Sequence, residues 1–164
     1  SSQVYKNKFV ITFIEGQQVK TLIYDHEGNL EKKIEYPSLE RIRVTAKDKQ
    51  RILNGYYKGL NYRNMGLLDL EEYKKQNELV FPEYFPRYSK VYIDNDKIYM
   101  LTYIEKDGMY VTHVFHMNGK KLGELLLPID VKPNLSLLKN GHYYYLKFSD
   151  EEEEWFLHTL KLKY

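Results

Sequence analysis

The sequence predicts a mostly β fold of three four-stranded antiparallel units, the last one incomplete, with a short helical insertion. Three observations carry that prediction. First, a pattern recurs about ninety residues apart. Val10-Ile11-Thr12-Phe13-Ile14-Glu15 reads onto Met100-Leu101-Thr102-Tyr103-Ile104-Glu105, and Tyr24-Asp25-His26-Glu27-Gly28 onto Phe115-His116-Met117-Asn118-Gly119. Ile34-Glu35-Tyr36-Pro37 reads in turn onto Leu125-Leu126-Leu127-Pro128. Recurrence in fixed order is the mark of repeated structural units. Second, 17 Tyr, 7 Phe and one Trp bring the aromatic share to 15%. Aromatic side chains fit a half-buried pleated surface; an aromatic ligand surface is the other reading of the same count. Third, short alternating runs are separated by Gly, Asn and Asp, the residues of hairpin turns.

The elements follow in order. Residues 1–37 form the first unit. Gln3-Tyr5 precedes the turn Lys6-Asn7, Lys8-Ile14 the turn Glu15-Gly16-Gln17, and Gln18-Tyr24 the turn Asp25-His26-Glu27-Gly28; Asn29-Tyr36 ends at Pro37. Proline cannot donate to a ladder, so Pro37 stops the fourth strand. Residues 87–128 repeat the parse with strands Lys90-Ile93, Lys97-Ile104, Met109-His116 and Lys120-Leu127, ending at Pro128. Residues 129–164 supply Leu135-Leu138, His142-Phe148 and Trp155-Leu162, with the acidic run Glu151-Glu152-Glu153-Glu154 as a solvated hairpin tip. The fourth strand of this third unit is missing.

Residues 38–86 are the excursion. Thr45-Ala46-Lys47-Asp48 resembles a capping box with Asp in place of the longer Glu. Ile52, Leu53, Tyr56, Tyr57 and Leu60 recur at helical spacing. A helix over 46–57 is therefore expected, with Ile52, Leu53 and Tyr56 buried and Lys47, Lys49 and Arg51 exposed. Gly55 and Gly59 weaken its end. A second short helix is expected over 67–75, its acids ahead of its bases as the helix dipole favours. Phe81-Pro82-Glu83-Tyr84-Phe85-Pro86 reads as a fixed extended connection.

Composition narrows the function. The mean hydropathy of −0.62 and 43% apolar content are those of a globular domain. No apolar run approaches the roughly 20 residues that span a bilayer. The start, Ser1-Ser2-Gln3-Val4-Tyr5, has neither the basic nor the apolar region of a signal peptide. Zero cysteines exclude disulfides, thiolate catalysis and cysteine-ligated zinc. A net charge of +2 gives no global attraction to nucleic acid.

Four-stranded antiparallel units of about 40–45 residues are the module of a β-propeller. Tyr84-Phe85-Pro86, the run Val91 to Met100 with Asp94-Asn95-Asp96, and Phe115-His116-Met117-Asn118-Gly119-Lys120-Lys121-Leu122-Gly123 resemble the bacterial six-bladed β-propeller proteins of the NHL/TolB-like group, in their C-terminal blades. In that group a strand enters through an Asp-rich turn, and a later strand ends in an aromatic-Asp-x-x-Gly-Lys turn. Tyr24-Asp25-His26-Glu27-Gly28-Asn29 matches the second turn, and His116 departs from it. The resemblance implies propeller-type blades and a periplasmic or cell-surface protein.

No set of residues announces catalysis, and no cofactor or metal is expected. His113 and His116 are three apart on a predicted strand and so point to opposite faces. Asp94-Asn95-Asp96 lacks the glycine an EF-hand needs and reads as turn chemistry. No serine sits in a Gly-x-Ser-x-Gly elbow, and no phosphate loop is present. One candidate binding set stands out: Arg41, Arg43, Lys47, Tyr57 and Tyr62, basic residues interleaved with aromatics that could grip phosphate and stack on bases. A solvated helix with its tyrosines turned to a sheet is the plainer reading of the same residues.

The expected function is that of a non-enzymatic binding or scaffolding propeller segment. The other class is part of a propeller hydrolase or lyase whose site lies mainly in blades outside this chain. Three blades cannot close a ring. The expected partner is therefore the other half of the propeller or a second copy of this chain.

Overall fold

In the computed structural model, residues 1–37, 39–64, 72, 75, 80–128, 135–149 and 151–163 are described, with 56–64 described in backbone only. Two compact units emerge: Ser1–Glu40 with Pro86–Tyr164, and Arg41–Phe85.

The larger unit holds three separate antiparallel sheets of four, four and three strands. β1 (Ser2–Tyr5), β2 (Lys8–Glu15), β3 (Gln18–Tyr24) and β4 (Leu30–Glu35) form the first as a simple meander. β5 (Lys90–Asp94), β6 (Lys97–Lys106), β7 (Met109–His116) and β8 (Lys121–Pro128) form the second in the same order. β9 (Ser136–Lys139), β10 (His142–Ser149) and β11 (Glu154–Lys161) form the third. β1 lies beside β5, and β5 beside β9. Predicted and observed strands differ by a residue or two at their ends. Pro128 belongs to β8 rather than stopping it: it sits opposite Met109 on a strand with no further neighbour among the described residues, where a missing N–H costs nothing.

Local chemistry explains the connections. Lys6-Asn7, Asn95-Asp96 and Asn140-Gly141 all have positive φ at both central positions. These are type I′ turns, whose twist matches the flanking strands. In the later turns, Asp25 Oδ1 accepts the N–H of Glu27 at 2.9 Å, and His116 Nδ1 accepts the N–H of Asn118 at 3.1 Å. The substitution that set His116 apart in the sequence thus keeps the same turn bond.

The registers fix which residues of the three sheets correspond. The first hairpin of each sheet closes on Tyr5–Lys8, Asp94–Lys97 and Lys139–His142. Val10 therefore corresponds to Tyr99, not to Met100 as the sequence recurrence suggested. The pattern misleads because β6 is two residues longer than β2 and carries an irregularity between Leu101 and Glu105. Beyond it, Tyr24 and Gly28 correspond to Phe115 and Gly119 as read from the sequence.

Two apolar layers lie between the sheets. Val10, Val19, Ile23, Ile34 and Tyr36 of the first sheet's side meet Val91, Ile93, Ile98, Met100 and Phe115. Tyr92, Tyr99, Leu101, Val114 and Leu127 on the other face of the second sheet meet Leu138 and Tyr143.

In the smaller unit, Val44 N–H donates to Glu83 O and Phe85 N–H to Ile42 O, each at 2.9 Å, around the pair Arg43–Tyr84. α1 (Ala46–Asn64) follows, longer than the predicted 46–57 because neither Gly55 nor Gly59 ends it. Its capping box forms: Asp48 N–H donates to Thr45 Oγ1 at 3.2 Å, and Thr45 N–H to Asp48 Oδ2 at 3.0 Å. Leu53 is buried and Lys47, Lys49 and Arg51 are exposed as expected, but Ile52 is exposed, one position off the buried stripe. The Tyr56 side chain lies outside the described residues, as does the predicted helix 67–75 apart from Glu72 and Lys75. Among the described residues no helix is long and apolar enough to cross a membrane.

Candidate partner interface

The contact between the first and second sheets is made again between the second and third. At the first, Tyr5, the last residue of β1, reaches across: its hydroxyl accepts the N–H of Asp96 at 2.9 Å. At the second, the corresponding Asp94 accepts the N–H of Asn140 at 2.9 Å and of Gly141 at 2.7 Å. Asp96 and Gly141 hold the same place in their turns. Two residues earlier on β1 and β5 the correspondence continues. Gln3 Nε2 donates to the carbonyl of Val91. Its counterpart Tyr92 hydrogen-bonds Ser136 Oγ at 2.6 Å, Ser136 being the counterpart of Val91. β1 and β5 thus each carry two polar side chains that grip the next sheet.

The apolar positions obey the same rule. Ile93 and Leu138 turn toward the preceding sheet and are 8% and 4% exposed; their counterpart Val4 is 68% exposed. Ile98 and Tyr143 do likewise, at 0% and 1%; their counterpart Phe9 is 51% exposed. Among the described residues only the first sheet leaves these positions open. Toward the following sheet, Tyr92 is 4% exposed and its counterpart Leu137, on the last sheet, 55%. Shallow concavities mark both open faces: about 480 Å³ around Val4, Phe9 and Tyr24, and about 540 Å³ around Leu137, Leu146 and Leu157. All eight residues of β11 are exposed, including Trp155, Phe156, Leu157 and Leu160. A bare apolar edge of this kind is one that proteins ordinarily cover.

Inside the layers, two tyrosine hydroxyls are hydrogen-bonded and held neutral. Tyr36 OH donates to Thr21 Oγ1 at 3.0 Å, and its ring meets Phe115 edge-on at 4.6 Å. Burial pushes the Tyr36 phenol up to about 12. The Tyr92 phenol is raised for the same reason. A further cleft of about 520 Å³ is lined in part by Leu39, Ile104, His113, Lys121 and Glu124. His113 Nδ1 lies 3.1 Å from Glu124 Oε1 without hydrogen-bond alignment, and Lys121 donates to Glu124 at 2.8 Å. Burial, with the Lys121 charge, holds the His113 imidazole below its ordinary value. His116, on the opposite face, is exposed. Among the described residues no three His, Asp or Glu side chains gather to hold a metal ion.

The basic set suggested by the sequence lies in the smaller unit. Arg41 stacks its guanidinium over the Tyr84 ring at 4.2 Å, and Arg43 pairs with Glu83 at 3.6 Å. Both therefore sit beside the extended segment 83–85. Lys47 is exposed in the first turn of α1. Tyr57 and Tyr62 lie further along the helix, where only backbone is described.

Sequence reasoning missed Gln3, Tyr5, Tyr92 and Asp94. Asp94 was read as part of a turn, but the turn is Asn95-Asp96, and the carboxylate serves another sheet. Aligning the units on their two-residue turns would have singled these residues out. Set against known proteins, the chain matches no family model, no curated protein and no solved structure.

Proposed function

We propose that this chain is a non-enzymatic scaffolding segment of a β-propeller of the NHL/TolB-like kind, which binds further sheets on the outer faces of β1–β4 and β9–β11. One observation carries the reading. The same sheet-to-sheet contact is made twice in succession, and the positions that would make it a third time at either end are apolar and open. The adjacency of β1, β5 and β9, the innermost strands of such an arrangement, supports it. Exposed apolar faces of this size belong to surfaces that meet a partner.

The test uses a hydrophobic dye. The folded chain, with its near-ultraviolet dichroism intact, should bind 8-anilinonaphthalene-1-sulfonate, and the pair Val4→Lys and Leu137→Lys should remove most of that binding. A folded chain that binds no dye and stays at 19.8 kDa at every concentration would refute the reading.

A further inference from the structure

We propose, building on that reading, that the outer face of the first sheet takes a sheet of different sequence rather than a second copy of this chain. The occupant's innermost strand ends in a hydrogen-bond acceptor such as Asp, with a polar residue two positions before it. The argument is continuity of an interface already seen twice. Both internal contacts use the pair polar–x–acceptor just ahead of a type I′ turn: Gln3-Val4-Tyr5 and Tyr92-Ile93-Asp94. In each, the acceptor receives the N–H of the second turn residue on the following sheet.

On the first sheet that residue is Asn7, whose N–H has no partner among the described residues. Gly28 tells the same story. Its counterpart Gly119 has φ +94°, and a Cβ there would sit 2.9 Å from Ile34 Cγ2 of the preceding sheet. Gly28 has φ +88° and open space around it. The first sheet is thus shaped to receive a neighbour in the way the second receives the first.

The third sheet does not offer the matching pair. Its inner strand reads Leu137-Leu138-Lys139 where the others read polar–x–acceptor. In a head-to-tail ring of two copies, Leu137 would replace the polar grip. The Lys139 ammonium, a donor only, would face the Asn7 N–H and stand beside Lys6. Wrong-partner rejection by unpaired donors and like charges is a recognised route to specificity.

Lys139 is exposed, so the sequence of the third turn can be altered without touching the core. Sedimentation velocity over a concentration series should show Lys139→Asp self-associating about tenfold more tightly than the wild type, the effect of one restored charged acceptor. Lys139→Ala should fall well short of Lys139→Asp. Adding Val4→Lys to Lys139→Asp should abolish the gain, and amide exchange at Asn7 should slow only in the Lys139→Asp assembly. Wild-type chains associating as tightly as Lys139→Asp would overturn the proposal in favour of a second copy. Equal tightening by Lys139→Ala and Lys139→Asp would overturn the acceptor argument. No association by any variant, together with a failed dye test, would bring down the underlying reading of the faces as well.

Discussion

The bond between Asp94 and the turn of the third sheet is the sharpest place to perturb the stacking. Asp94 is 7% exposed, and each of its oxygens accepts one backbone N–H from a residue more than forty positions away. Hydrogen bonds to a charged group contribute roughly 1.5–3 kcal/mol each, and a buried donor left unpaired adds to the loss. Asn140 is exposed enough for water to replace its bond, so the lower end applies to it. Asp94→Ala should therefore cost about 2–4 kcal/mol. Asp94→Asn keeps the shape and one acceptor, and should cost about half of that. Asp96, two residues on, is the control. Its ion pair with Lys6 at 2.9 Å is open to solvent on both sides, and Asp96→Ala should change little. Urea unfolding at pH 7 measures this, with the slope held constant so that the midpoint reports stability. Amide exchange should quicken at Asn140 and Gly141 in Asp94→Ala. A cost below about 0.5 kcal/mol, or a larger effect from Asp96→Ala, would refute the claim that this carboxylate joins the sheets.

The two glycines Gly119 and Gly28 share a positive φ and differ in surroundings, so alanine at both costs conformational strain while Gly119→Ala also presses on Ile34. Gly119→Ala should exceed Gly28→Ala by about 1–3 kcal/mol in the same urea assay; equal costs would mean the turn does not pack there. Tyr36 binds its proton more tightly folded than unfolded, so its contribution to stability is level below pH 10 and falls as pH rises toward about 12. The loss is on the order of 2–3 kcal/mol, and Tyr36→Phe should flatten that part of the curve relative to the wild type. His113 has the opposite sense: its lowered value means the unfolded chain takes up a proton first, so stability falls as pH drops below about 6.5. Thermal melts from pH 7.5 to 5 should show this slope weakened in His113→Gln; an unchanged slope would place the titrating group elsewhere.

The strands and their turns were legible in the sequence because they rest on local chemistry. Asn95-Asp96, Asn140-Gly141 and Gly16 meet the backbone demands of hairpin turns within a few residues, and the capping box of α1 closes over four. Arg41, Arg43 and Lys47 were equally visible as a basic run. Which face of each strand meets which neighbour was not. Both faces of the second sheet are apolar, so the recurrence of Val10 on Met100 or on Tyr99 looks the same in composition, although a one-residue slip turns every side chain over. The exposure of Ile52 beside buried Leu53 likewise follows from the helix's setting, not from its spacing. The grips of Gln3, Tyr5, Tyr92 and Asp94 had no local signature, because their partners lie on another sheet, 44 to 91 positions along the chain. The sequence by itself determined where the chain turns and which segments pleat. Tertiary structure alone decided which side chains bridge the sheets and which faces stay open, because those depend on sheets meeting across distances that no short stretch of sequence encodes.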